Sequence, residues 1–209
     1  MKTKICELFS SVCIVIGVVL IALSVWTIVH SEQAEAFAEE RVVYVNEAVS
    51  HAIDDMLSLY DGYDVVPDYV LDSDREMPVV TIDDLQVIGQ VSIPSLDIEL
   101  PVCSEWNLTD AKSAPCRYMG SVYDNTMIIA GHSYKAHFRG LYDIKIGADV
   151  TFTDMDGNRF WYQVSEIEIL DEYDYDGLTS GDWDLTLFTC TSDSRSRVTV
   201  RCNLVERGL

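Results

Sequence analysis

The sequence predicts a mostly β domain, a small closed barrel or sandwich, preceded by an N-terminal transmembrane helix and a second helical segment. Three observations predict it. An uncharged apolar run lies near the N-terminus, a helical periodicity follows it, and beyond Leu85 the texture changes to short β-rich runs separated by turn residues.

The apolar run covers residues 8–29 and contains no charge. At about 1.5 Å per residue it is long enough to cross a hydrocarbon core of ~30 Å. Trp26 sits near its outer end, where an indole favours the interface. Lys2 and Lys4 precede the run, and Glu32, Glu35, Glu39 and Glu40 follow it. That asymmetry places the N-terminus in the cytoplasm and everything after the span outside, in a single pass of the cell membrane. A cleaved signal peptide competes, since Ala34-Glu35-Ala36 and Ala36-Phe37-Ala38 both have a small-x-small pattern. The run exceeds the roughly 7–15 residues of a signal-peptide core, which favours an uncleaved anchor.

Residues 31–59 read as a helix, because Phe37, Val42, Val45, Val49, Ile53, Met56 and Leu57 recur at three- and four-residue steps. Either packing on the domain or service as a stalk fits that pattern. His51 is a helix-face residue. Residues 61–84 are acidic, carry Pro67 and Pro78 and break the period, as a linker or an irregular wrap would. The expected division is an anchor over 1–30, a helix and acidic linker over 31–84, and a β domain over 85–209.

Within that domain, strands are expected over 86–93, over 96–102 after a Pro94 turn, and over the apolar 126–130. Further strands are expected over 149–154 and 159–170, joined by a hairpin turn at Met155-Asp156-Gly157-Asn158. Two more, 184–190 and 197–205, close the chain. Seven or eight strands with few helices fit a small barrel or sandwich.

Composition removes one class of function. With 35 acidic against 14 basic residues the formal charge is −21, and no basic stripe is present to hold a polyanion, so nucleic acid is not an expected partner. The cysteines are Cys6, Cys13, Cys103, Cys116, Cys190 and Cys202. None forms a CxxC pair and no Cys/His group has zinc-ligand spacing, so no metal or other cofactor is expected. A Cys103–Cys116 bridge is left open.

Chemistry concentrates in three pieces: an apolar strand ending Ala130-Gly131-His132, a strand Thr186-Leu187-Phe188-Thr189 ending on Cys190, and a following strand that begins near Arg197. A thiol attacks as thiolate, and an imidazole can form the ion pair that activates it. A guanidinium is an always-charged donor suited to the oxyanion of acyl transfer. Cys190, His132 and Arg197 are therefore a sufficient kit for acyl transfer through a thioester. Period-two alternation puts Arg197, Thr199 and Arg201 on one face and Val198, Val200 and Cys202 on the other, which argues against a Cys190–Cys202 bridge.

These pieces resemble the sortase family. TLFTC matches the signature TLxTC, whose cysteine is the nucleophile. IIAGHSY matches the segment carrying the family histidine, and RVTVRC the last strand, whose first arginine is the catalytic one. VIGQVSIPSLDIELPV and HFRGLYDIKIGADVTFTDMDGNRFWYQV are similar to the first strands and the middle of the family domain. The resemblance implies an eight-stranded sortase barrel and a membrane-anchored cysteine transpeptidase. Cys190 would attack the Thr–Gly bond of an LPxTG-like sorting signal, His132 would protonate the departing amine, and Arg197 would stabilise the oxyanion. Thr189 would help position the substrate. An amine from a peptidoglycan precursor or a pilin lysine would resolve the thioester. The HFRGL stretch and the short last strands resemble class B or class D members. The acids of residues 171–184 fall where some class A members bind calcium, although such a run need not supply converging oxygens. His137 is the reserve histidine, Arg201 a surface or strand-pairing residue, and Trp183 either lines the sorting-signal pocket or packs locally.

Three other classes compete. A papain-like peptidase would place its cysteine before its histidine and at a helix start, the reverse of the order here. A thiol hydrolase on the same fold would give its acyl group to water. A membrane-tethered binding module would need no thiol at all.

Overall fold

No proline before Pro67 interrupts the N-terminal segments, and they join into one helix, α1 (Lys2–Tyr60). The computed structural model describes residues 2–60 and 66–208; side chains before residue 13, those of Lys2 and Lys4 included, and residues 61–65 of the expected linker lie outside the described residues. Two compact units divide the chain, Met1–Ala36 and Phe37–Leu209.

The first unit is helix alone. Ile14, Val18, Ile21 and Trp26 are all more than half exposed, so the helix is apolar around its circumference. From Cys13 onward it is long and apolar enough to cross a membrane.

In the second unit, the rest of α1 is a wall of the domain. Ala38, Val42, Val45, Val49 and Ile53 form its buried stripe. Most of this stripe packs with Ile82, Leu85, Val87, Cys103, Cys116 and Met155. Ala38, not Phe37, begins the stripe, because 38, 42, 45 and 49 keep one face while Phe37 is turned to solvent. Polar contacts fix the same face: Arg41 pairs with Asp83 at 3.2 Å and Asp84 at 2.7 Å, and Gln90 donates to Asn46 and Ser50 at 2.9 and 3.0 Å.

The β elements are β1 (Val80–Ile82), β2 (Leu85–Ile93), β3 (Ile98–Cys103), β4 (Cys116–Met119), β5 (Met127–Ala130), β6 (Asp149–Asp154), β7 (Arg159–Asp171), β8 (Leu185–Cys190) and β9 (Ser196–Gly208). The sheet order is β1-β2-β3-β4-β5-β8-β9-β7-β6, and β2 also pairs with β6, which closes eight strands into the expected barrel and leaves β1 outside it on β2. Closure removes the sheet edges that would otherwise seek partners. Two short α-helices, α2 (Asp68–Leu71) and α3 (Tyr175–Thr179), and three 3₁₀ turns, Pro94–Leu96, Asp110–Lys112 and Phe138–Tyr142, complete the described elements.

Some boundaries differ from expectation. β1 lies inside the stretch read as linker, and β4 has only four residues, too few to show a period. A 3₁₀ turn over Pro94–Leu96 delays β3 to Ile98. β9 runs for 13 residues rather than being short, because it pairs along nearly its whole length with β7. The β6–β7 turn is the one expected: the Asp154 carboxylate accepts from the Asp156 and Asn158 backbone N–H groups, both at 2.9 Å, and Gly157 takes φ +85°.

Alternation decides the faces. Ile129, Leu185, Leu187, Val198, Val200 and Cys202 fill the barrel core. Ile128, Ala130 and Phe188 face outward under Leu178, Trp106, Tyr118 and Leu170. The candidate site lies on this outer layer.

Candidate active site

β5 and β8 run parallel, with Ala130 opposite Phe188. The Gly131 N–H donates to the Phe188 carbonyl at 3.0 Å, which carries the ladder past the end of β5. His132 follows Gly131 as Cys190 follows Thr189, so the two side chains emerge at one level on neighbouring chains, a strand spacing of about 4.8 Å apart in backbone. On the other side of β8, Cys190 is the antiparallel partner of Arg197. Backbone register thus brings His132, Cys190 and Arg197 to neighbouring positions on three adjacent segments. All three residues are partly exposed.

Neighbouring groups hold these residues in place. The Arg197 guanidinium lies over the Phe188 ring, 5.4 Å from its centroid, which keeps the cation on the outer face. Tyr118 meets the same ring edge-on at 5.5 Å. Trp106 packs at 5.9 Å and Tyr134 at 5.0 Å from His132. The Tyr142 hydroxyl donates to the Cys190 carbonyl at 2.7 Å, tying the segment after His132 to the end of β8. Burial, and then the Lys112 ammonium, hold His132 below the usual histidine range.

Gly131 has a steric reason. A Cβ there would meet the Phe138 ring at 2.6 Å, so only glycine lets β5 turn into His132 against that buried ring. Gly131→Ala is expected to cost about 1–3 kcal/mol by overpacking, read as a lowered melting temperature together with slower labelling-independent turnover as His132 shifts.

The other sequence candidates fall elsewhere. Thr189 alternates onto the core side, opposite Val198, and is fully buried with its hydroxyl unpartnered among the described residues. Any help it gives in positioning substrate would therefore act through the backbone of β8 or through Cys190 beside it. His137 is also fully buried, and burial, with the neighbouring His132, pushes it down to about 4. It is neutral at ordinary pH and turned away from solvent, which removes it as the reserve. His51 is exposed on α1.

Arg201 is not a surface residue: it is 1% exposed. It donates to Glu168 at 3.0 Å, to the Leu178 carbonyl at 2.9 Å, to Thr186 at 3.1 Å, and to the Gly177 carbonyl. One guanidinium thereby ties α3 to β8 and β7. Trp183, on the same connection, lines a cleft of about 420 Å³ together with Ile128, Leu178, Thr186 and Arg201. This cleft shares the outer face of β5 and β8 with His132 and Cys190. Arg201→Ala leaves several buried acceptors without a donor, and the expected loss is about 3–5 kcal/mol, measurable by thermal unfolding. Among the described residues no group of three or more His, Cys, Asp or Glu side chains converges as a metal site would require.

Trp106, Tyr118 and Tyr142 belong to the site without any sequence signal, since Tyr118 lies on the short β4 and the other two arrive from different connections. Arg201 did have one: alternation from Arg197 puts it on the groove face.

Comparisons with known proteins agree with this fold. A family model described as Sortase domain matches residues 91–205. Among solved structures, sortase C-3 from Streptococcus pneumoniae matches with a TM-score of 0.55 and 23% identity, over 82% of this chain and 88% of that one. Sortase A from Corynebacterium diphtheriae matches with a TM-score of 0.53 and 21% identity, over 86% and 96%. A sortase D5 transpeptidase from Clostridium perfringens matches with a TM-score of 0.52 and 16% identity, over 82% and 99%. Nearly equal scores for A, C and D types mean that the barrel is common to these classes. No curated protein sequence matches the chain.

Proposed function

Because the chain belongs to the sortase family, whose members are cysteine transpeptidases, we propose that it cleaves an LPxTG-like sorting signal through a Cys190 thioester and passes the acyl group to an amine. The acceptor would be a peptidoglycan precursor or a pilin lysine. The observation that supports this reading is the register, which sets Cys190 at the end of β8 opposite Arg197 of β9 and brings His132, two residues past β5, beside it.

The steps follow from that register. The Cys190 thiol passes its proton to the His132 imidazole as its sulfur donates an electron pair to the Thr carbonyl carbon, and charge collects on the carbonyl oxygen, which the Arg197 guanidinium would stabilise. As the tetrahedral adduct collapses, the C–N bond breaks and the His132 imidazolium protonates the leaving glycine amine. The neutral imidazole then takes a proton from the incoming amine as it attacks the thioester, and sulfur departs with its electron pair. The cleft beside Trp183 and Leu178 offers an apolar wall for the signal's side chains.

The apolar first part of α1 is read as the anchor, with the catalytic domain outside the cell. Mass spectrometry tests the chemistry. Full-length protein in detergent, incubated with a panel of LPxTG-like peptides, should carry the acyl fragment on Cys190. Adding an amine should release a ligated product. Free acid alone would favour the hydrolase reading, and no adduct with any peptide would defeat both.

A further inference from the structure

Cys103 ends β3 and Cys116 begins β4, and the two are direct partners in a parallel pair. Partners on neighbouring strands lie about 4.8 Å apart, within the roughly 4.4–6.8 Å between Cα atoms that a disulfide spans. Both side chains point into one cluster beneath α1 and are essentially unexposed. The neighbouring Cys116 thiol, and then burial, raise the Cys103 pKa, while the Cys116 thiol donates to the Ala114 carbonyl at 3.4 Å. Both thiols are buried away from any substrate, so neither has a catalytic use. The backbone already closes here, since the Cys103 N–H donates to the Pro115 carbonyl at 2.9 Å.

The segment between them, residues 104–115, serves the active site. It carries Trp106 against His132, and Lys112, whose charge acts on the same imidazole. We propose that Cys103 and Cys116 form a disulfide in the folded protein, stapling the base of this loop so that Trp106 and Lys112 keep their places beside His132. The proposal rests on the outside placement of the domain, where disulfides persist. As the S–S bond forms, the two thiols lose two protons and two electrons. An exported oxidoreductase, through its own disulfide, accepts the electrons by thiol exchange and leaves as a dithiol. The reaction precedes final packing, because α1 and Met155 cover the pair in the finished domain.

The test uses the full chain in a Gram-positive host. Intact cells are quenched with N-ethylmaleimide, and the protein is purified under denaturing, non-reducing conditions and cleaved after Lys and Arg. Cleavage after Arg75, Lys112 and Arg117 puts the two cysteines on separate peptides, 76–112 and 113–117. The expected result is one linked species, lighter by two hydrogens than the sum, which reduction splits, while Cys190 carries the maleimide. Maleimide on both Cys103 and Cys116, in a domain that protease removes from intact cells, overturns the proposal. Should protease fail to reach the domain, the outside placement is what fails. The purified chain is also reduced, unfolded and refolded in a buffer of reduced and oxidised glutathione, and free thiols at both positions in the refolded domain overturn the pairing itself.

Discussion

Cys190→Ala is expected to abolish both the acyl adduct and the ligated product, a loss on the order of 10⁴-fold or more in kcat/KM. A methyl group has no electron pair to offer the carbonyl, and His132 and Arg197 cannot replace it, since one moves a proton and the other only binds charge. The fold should survive. Cys190 is partly exposed at the very end of β8, outside the packed barrel core, so the melting temperature should change little. Intact folding with lost turnover separates a missing nucleophile from a damaged domain. The same variant decides between classes: a tethered binding module would keep full function without its thiol, whereas hydrolase and transferase both fail. Wild-type product then separates those two.

How much of this was legible beforehand depends on where the information lies. Period-two alternation is local, so the outward set Arg197, Thr199, Arg201 and the inward set Val198, Val200, Cys202 could be read from the chain, and the core holds the inward set. The same rule, applied one strand earlier, would have turned Thr189 inward, since it sits between the outward Phe188 and Cys190; the role that the family pattern suggests there would then act through the backbone or through Cys190. β1 and β4 were invisible because strands of three and four residues carry no period and, unlike the equally short β5, neither is a continuous apolar run. The packing of α1 was undecidable from its amphipathic face alone. A stalk and a docked helix share that pattern, and only the complementary stripe from Ile82 to Met155 resolves it. Trp106 and Tyr142 reach the site from loops, where spacing in sequence says nothing about proximity.

Arg197 carries the second large effect. Arg197→Ala should lower kcat by about 10²–10³-fold with little change in KM, as expected for a donor that binds charge developing only in the transition state. Arg197→Lys should recover only part of the loss. A lysine retains the charge, but its ammonium is a point donor on a flexible stem and cannot reproduce the planar fork that lies over Phe188. Alkylation of Cys190 by a small thiol reagent supplies the discriminating measurement. That reaction develops no carbonyl oxyanion, so an oxyanion role predicts an unchanged alkylation rate alongside the slowed transpeptidation. If alkylation slows in parallel, Arg197 acts on the thiol and not on the substrate, and the oxyanion must be met by backbone N–H groups at the end of β8. Arg201 is the internal control for this argument, being the same residue type on the same strand face. Its guanidinium is spent on Glu168, Thr186 and the α3 carbonyls, so its loss should appear in the melting curve before it appears in kcat.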